Sequence, residues 1–409
     1  MPRSKDPPRA KIHLSAEDAR RIVIRAQGLA PSADRPKTVA DVLRRTGAVQ
    51  LDTISVLARS HELVAYARLG PVPRATVEAG YWAEPAVAFE YIAHANCVIP
   101  IEDYPWFAFR RQHLGRRWPS LASSPVLTDV KARLRDGPIT TTDAGGARKA
   151  AGWWNWSEAK EVLELMCARG DAVCTMRRGW KRVYDLPERA IPADLLARQP
   201  TAEESYLHLV RQAARALGVG TARDIANYYM LLTSYVGRGL ERKRLFDEAM
   251  ASSGLEQVEV EGWDEPAFAH AEALKTRAAK TYRATLISPF DSLVWAEPRV
   301  GGGPLRARTF RLFNYDMVFE PYVPKEKRVH GYFTMPLLAN EKIAGHVDPA
   351  REGKTLVARN VDLHDPSAVD DMAAALREAA AWVGCDAVRL ERVQPRSAVA
   401  ALKRALRDG

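Results

Sequence analysis

The residues best placed to do chemistry lie in Val49-Gln50-Leu51-Asp52-Thr53. The stretch follows Gly47 and precedes a helix-like run, so it reads as a short strand or extended link between two helices. Side chains alternate along extended chain, which sets Gln50 and Asp52 on one side and Val49 and Leu51 on the other. An amide beside a carboxylate, anchored by two apolar neighbours, can hold and activate a water. The same alternation also suits the polar edge of a small domain, and spacing alone leaves both readings open. Ser60 and His61, on the next run, are expected to line the same site, whereas Glu62 is expected to face solvent.

Other chemistries find no footing in the sequence. Gly301-Gly302-Gly303 lacks the spacing and the strand-to-helix setting of a phosphate loop. No HExxH, GxSxG, GxGxxG or paired-carboxylate signature occurs. Cys97, Cys167, Cys174 and Cys385 form no CxxC pair and sit beside no His at zinc-ligand spacing, so they read as inert thiols of a reducing cytosol. Neither a metal nor a cofactor is expected. Trp153, Trp154 and Trp156 can stack bases, but core packing between a helix and a hairpin is the plainer role.

The elements that must position Gln50 and Asp52 come next. At 409 residues the chain is long enough for several domains and a large core. Its 60 Lys and Arg against 50 Asp and Glu leave a net charge of +10, which suits an anionic partner, nucleic acid first, and equally suits a merely solvated basic surface. No run reaches the ~18 apolar residues of a membrane span, and residues 1–12 read as a disordered basic arm. Ser15 caps an amphipathic helix carrying Ala19, Ile22, Val23 and Ala26; Thr38 caps another that Gly47 stops. Residues 55–68 read as a third helix and 89–99 as a strand, so 13–125 forms a helix-turn-helix type unit. Over 126–200, two helices precede a hairpin whose tip is Arg177-Arg178-Gly179-Trp180, the order of a winged helix. A third such unit occupies 201–285, with Thr221 to Ala226 opening its second helix. From 286 to 409 short alternating runs, including Phe319 to Val323 and Arg328 to Met335, suggest an antiparallel sheet or small barrel closed by helices at 367–382 and 397–407.

Six segments, in order, carry a resemblance: VQLDTISVLARSHELVAYARLGP, FEYIAHANCVIP, GWWNWSEAKEVLELM, RVYDLPERAIP, LISPFDSLVW and EPYVPKEKRVHGYFTMPLL. Together they resemble the YcaQ/AlkZ family of bacterial DNA glycosylases, which act on alkylated bases and interstrand crosslinks. The resemblance implies an α+β fold of three tandem winged helix units and a C-terminal antiparallel β-barrel-like domain. It implies a C-shaped monomer gripping double-stranded DNA that holds alkylated or crosslinked guanine, in the cytoplasm with the nucleoid and away from membranes. Gln50-Leu51-Asp52 matches the family's catalytic motif in the Gln-x-Asp form of the YcaQ branch. The resemblance thereby assigns Asp52 to the sugar's positive charge and the water proton, and Gln50 to holding the water. It also implies attack on the crosslinked base within the helix. Arg59, Arg177, Arg178, Lys181, Arg306 and Arg308 are the cations expected to meet DNA. One departure stands out, since AEPRVGGGPLRARTFRLFN after Trp295 carries extra Gly and Pro where the family has a shorter Arg-rich link. Two rivals use the same folds: a winged helix transcription regulator without catalytic activity and a protein-interaction scaffold.

Overall fold

Helix starts are fixed by side chains that take up the N–H groups a first turn cannot satisfy. Ser15 accepts from the Asp18 N–H ahead of the helix Ala16–Ala26. Reciprocal capping boxes pair Thr38 with Asp41, Thr201 with Glu204 and Thr221 with Asp224, at Val39–Thr46, Ala202–Leu217 and Ala222–Tyr228. These details come from a computed structural model that describes residues 12–32, 34–117, 125–144, 158–234, 236–275, 283–295 and 307–408. The Trp153–Trp156 cluster, the Gly301–Gly303 loop and Arg306 lie outside the described residues.

One strand order recurs three times. After β1 (Ile12–Leu14), strands β2 (Val49–Gln50), β3 (Ala88–Ile92) and β4 (Asn96–Pro100) form a sheet in the order β2-β4-β3. Strands β5 (Ile139–Thr140), β6 (Val173–Arg178) and β7 (Lys181–Asp185) give β5-β7-β6. Strands β8 (Val219–Thr221), β9 (Glu256–Val260) and β10 (Ala267–Ala269) give β8-β10-β9. Each time a short strand after a helix pairs with the second arm of a later hairpin. The third sheet gains β1, which runs parallel to β9. The helix Ala16–Ala26 follows β1 there, packing Ala19, Ile22 and Val23 against Val219, Val258 and Val260. The start of the described chain is therefore built into the sheet of the 201–285 region.

The C-terminal region departs from the sequence expectation. Strands β11 (Thr285–Leu286), β12 (Met335–Ala339), β13 (Lys342–Glu352), β14 (Thr355–Leu363) and β15 (Ala387–Gln394) form an open sheet in chain order, with no closed barrel among the described residues. Nor is it wholly antiparallel. The helix Val369–Trp382 carries the chain back over the sheet, so β15 pairs with β14 in parallel. The runs at 319–323 and 328–334 form no strands. There the Glu320 carboxylate accepts the N–H groups of Val329, His330 and Gly331, and Arg328 donates to the carbonyls of Glu320 and Val323. These bonds satisfy several of the loop's backbone groups locally, in place of a ladder.

Gly47 sets the approach to the candidate site. Its φ of +67° closes the helix Val39–Thr46 in the left-handed conformation. A Cβ at Gly47 would collide with the Tyr229 hydroxyl, so backbone conformation and space both demand glycine. The chain then enters β2, Val49 and Leu51 sink into one apolar core, and Leu57 and Ala58 enter another beneath the C-terminal sheet. The helix expected over 55–68 begins only at Ser60, because residues 54–58 serve as this bridge.

Candidate active site

The peptide from Gln50 to Asp52 is pinned at every step. Gln50 lies opposite Cys97 on β4, and the Leu51 N–H reaches the Asn96 carbonyl at 2.8 Å. Ser60, fully buried at the start of the helix Ser60–Leu69, then acts as a staple. Its hydroxyl donates to the Gln50 carbonyl at 2.7 Å and accepts the Asp52 N–H at 2.9 Å. The expected alternation is present, with Val49 and Leu51 buried and Gln50 and Asp52 partly exposed.

Asp52 Oδ1 accepts the Ile54 N–H at 2.8 Å. Burial raises the carboxyl above its ordinary range, opposed by the backbone N–H groups of Ile54 and Thr53. Among the described residues no cation pairs with Asp52, and the Gln50 amide has no hydrogen-bond partner. Burial likewise raises the Asp348 carboxyl, which has no ion pair among the described residues, so it is the neighbouring Gln50 amide that sets Asp52 apart. The pair can orient a water through the amide, take its proton on the carboxylate and stabilise a nearby cation.

The three residues that follow, Ser60, His61 and Glu62, take different places. Ser60 meets both Gln50 and Asp52, as just described. His61 has no exposed surface, and its Nε2 lies 2.7 Å from Glu78 Oε1 while its ring stacks on Trp180 and Trp82. His61 therefore supports the wall behind the site and reaches no solvent. Glu62, expected in solvent, is buried and pairs with Arg74 at 2.7 Å while accepting the Arg59 N–H. Burial would raise the Glu78 carboxyl, but His61, with Arg59 and Arg177 nearby, holds it below its ordinary range.

The tip of the β6–β7 hairpin divides the cations expected to meet DNA between the interior and the surface. Gly179 and Trp180, both at positive φ, form a tight turn that lays Trp180 against the core holding Val49 and Leu51. The guanidinium groups of Arg59 and Arg177 each lie 3.9 Å from its ring centroid. Arg177 is also largely buried and paired to Glu90 on β3 at 2.5 Å, and Glu90 further holds Arg182 at 2.7 Å. Arg308 is buried too and donates to the Leu293 carbonyl. Neither Arg177 nor Arg308 offers a free guanidinium to a phosphate, because each is consumed by the interior. Arg178 and Lys181 are exposed, Lys181 lying 3.1 Å from the Thr142 hydroxyl.

The contribution of Trp180 and Glu78 was missed in the sequence. The only signal was Gly179-Trp180 at a hairpin turn, a dipeptide that puts an aromatic ring where a basic tip was expected.

A buried ion pair ties the site helix to the C-terminal region. Arg68 and Asp291, both without exposed surface, meet at 2.6 and 3.0 Å, and Arg68 also donates to Gln27. Burial opposes the Arg68 charge, but Asp291 keeps the guanidinium above its ordinary value. The site is thus framed by the first small sheet, the hairpin of the second and the C-terminal sheet.

A half-buried carboxylate without a cation among the described residues, held rigidly beside an amide, suits an enzyme that stabilises a developing positive charge. Residues 43–383 match the AlkZ-like DNA glycosylase family, and the chain belongs to it. It is therefore a DNA glycosylase, an enzyme of DNA repair. The Streptomyces sahachiroi DNA glycosylase AlkZ has a similar fold, with a TM-score of 0.62 at 19% identity, covering 93% of this chain and 100% of that one. Among the described residues no helix is long and apolar enough to cross a membrane.

Proposed function

We propose that this glycosylase is monofunctional, that it removes N7-alkylguanine from duplex DNA and unhooks interstrand crosslinks made through that nitrogen, and that Asp52 and Gln50 perform the hydrolysis. The observation that carries the reading is Asp52 itself, half-buried and without a cation among the described residues. An N7-alkylguanine is a cationic leaving group. As the C1′–N9 bond breaks, its electron pair returns to the purine and neutralises N7, while positive charge grows on the sugar. The unpaired carboxylate stabilises that charge. Gln50 holds a water, whose oxygen bonds to C1′ and whose proton passes to Asp52. The leaving base is already activated and needs no proton, so one carboxylate serves where glycoside hydrolases use two.

The recurring order of helix, strand, helices and hairpin supports the view that 13–125, 126–200 and 201–285 are winged helix units, the third completed by β1 and the helix Ala16–Ala26 at the start of the first, followed by a β-rich region at 286–409. We take the working form to be a monomer associated with the nucleoid. Arg178 and Lys181 are the described members of the expected set that remain exposed enough for phosphates. The transcription-regulator reading is set aside because the chain belongs to a glycosylase family.

The test is a duplex with a single N7-methylguanine, incubated with enzyme and cleaved in alkali at the abasic site. Wild type is expected to release the base, and Asp52→Asn to abolish release while binding DNA as before. Release by Asp52→Asn at near the wild-type rate would remove Asp52 from the mechanism. A companion duplex crosslinked through N7 of guanine separates the two lesion classes. Intact crosslinks beside efficient N7-methylguanine release would confine the activity to monoadducts.

A further inference from the structure

A second cluster of chemically capable side chains lies on the C-terminal sheet, apart from Gln50 and Asp52. His346 on β13 and Asp362 on β14 are direct cross-strand partners. His364 stands two residues beyond Asp362, the spacing that returns a side chain to the same face. One ligand atom from each of His346, Asp362 and His364 lies within 4.8 Å of the others.

His346 is fully buried, and its Nδ1 has no hydrogen-bond partner among the described residues. Its Nε2 faces His330 Nδ1 at 3.3 Å. The His330 approach is built into the fold. Glu320 fixes the loop by accepting the His330 N–H at 2.7 Å. Gly331 lets that loop close on β13, since a Cβ there would collide with the Asp348 side chain.

We propose that His346, Asp362 and His364 bind a divalent transition metal ion of the zinc class, with His330 packed beside His346. Imidazole and carboxylate are the ligands such an ion takes, and one carboxylate among imidazoles suits a double positive charge. Exposed His364 and half-buried Asp362 have the freedom to close the cluster around the ion, while His346 is fixed by burial. The ion would fasten β13 to the end of β14. This proposal does not depend on the roles given to Asp52 and Gln50.

The test uses the full chain, stripped with a chelator that is then removed, and kept reduced at neutral pH. Zinc is titrated against a chromophoric competitor, and cobalt(II) is used separately to report coordination by its visible absorption. Wild type is expected to bind one equivalent and to melt at a higher temperature with zinc present. His364→Ala and Asp362→Ala, checked by circular dichroism for an unchanged fold, are each expected to weaken binding by about tenfold or more. Cys167→Ser is expected to bind as wild type does. No stoichiometric binding by wild type, or wild-type binding by both ligand variants, would overturn the proposal, as would loss of the site in Cys167→Ser.

Discussion

Replacing Ser60 by Ala tests whether the staple, rather than the motif alone, makes the site. The hydroxyl is fully buried and serves two backbone groups, the Asp52 N–H at 2.9 Å and the Gln50 carbonyl at 2.7 Å. Ser60→Ala strands both. Each unsatisfied group costs about 1–3 kcal/mol where water stays out, so dry loss of the two would total about 2–6 kcal/mol. Gln50 and Asp52 are partly open, so water can replace the hydroxyl and the expected cost is about 2 kcal/mol. The geometric effect is larger than the energetic one. A displacement of about 1 Å at a reacting group can cost about 100-fold in rate. Single-turnover release of N7-methylguanine is therefore expected to fall by about 10–100-fold, with a lower thermal midpoint and unchanged affinity for DNA. A release rate within twofold of wild type, in a variant whose midpoint has fallen, would show that Ser60 supports the fold without setting the site.

Three further outcomes follow from the same structure. Asp52 has a folded pKa above its unfolded value, so ionisation opposes folding at neutral pH and has no such effect below the ordinary carboxylate range. Asp52→Asn is expected to melt no lower than wild type at neutral pH, with any gain vanishing in acid; a lower midpoint at neutral pH would contradict this. For Glu90, burial raises the carboxyl but Arg182 and Arg177 outweigh it, so its folded pKa is depressed. Its stabilisation is present above the unfolded pKa and lost as pH falls through the folded one, and Glu90→Gln should cost about 3–5 kcal/mol at neutral pH. Acid melting curves of the two proteins should therefore converge. Finally, DNA affinity should fall steeply with salt, and Arg178→Ala with Lys181→Ala should flatten the logarithmic slope by about 2, at about 0.9 per phosphate contact. An unchanged slope would remove these two residues from the interface.

What could be read in the sequence was what short-range chemistry decides. Thr38 with Asp41 and Thr221 with Asp224 mark helix starts because a cap needs only its own turn. The faces of Gln50 and Asp52 followed from the period of extended chain. What could not be read was set by partners far along the chain. Glu62 looked like a surface carboxylate, and only the fold brings Arg74 onto it out of solvent. Arg177 looked like a basic tip, but a tight turn at Gly179-Trp180 and the distant Glu90 draw it inward. Arg308 is absorbed in the same way by backbone carbonyls such as that of Leu293. Strand β15 pairs in parallel because a helix intervenes, which local alternation does not encode.

The contrast between Asp52 and the arginine-paired buried acids bears on how the site works, although Glu320 and Asp348 are also held by backbone N–H groups without an arginine at hydrogen-bond distance. Glu90, Glu62 and Asp291 each sit out of solvent with at least one arginine at hydrogen-bond distance. The fold therefore has the means to neutralise interior carboxylates and uses them repeatedly. It withholds them from Asp52, where it supplies only backbone N–H groups and the rigid staple of Ser60. A resident arginine would stabilise the ground state and compete with the sugar cation for the carboxylate. Without one, the charge is better satisfied in the transition state than before it, which is the condition for an interaction to accelerate a reaction. The same reasoning explains the anchoring on both flanks. An unpaired charge free to move would turn toward the nearest cation of a basic surface, so the backbone that carries it must be held.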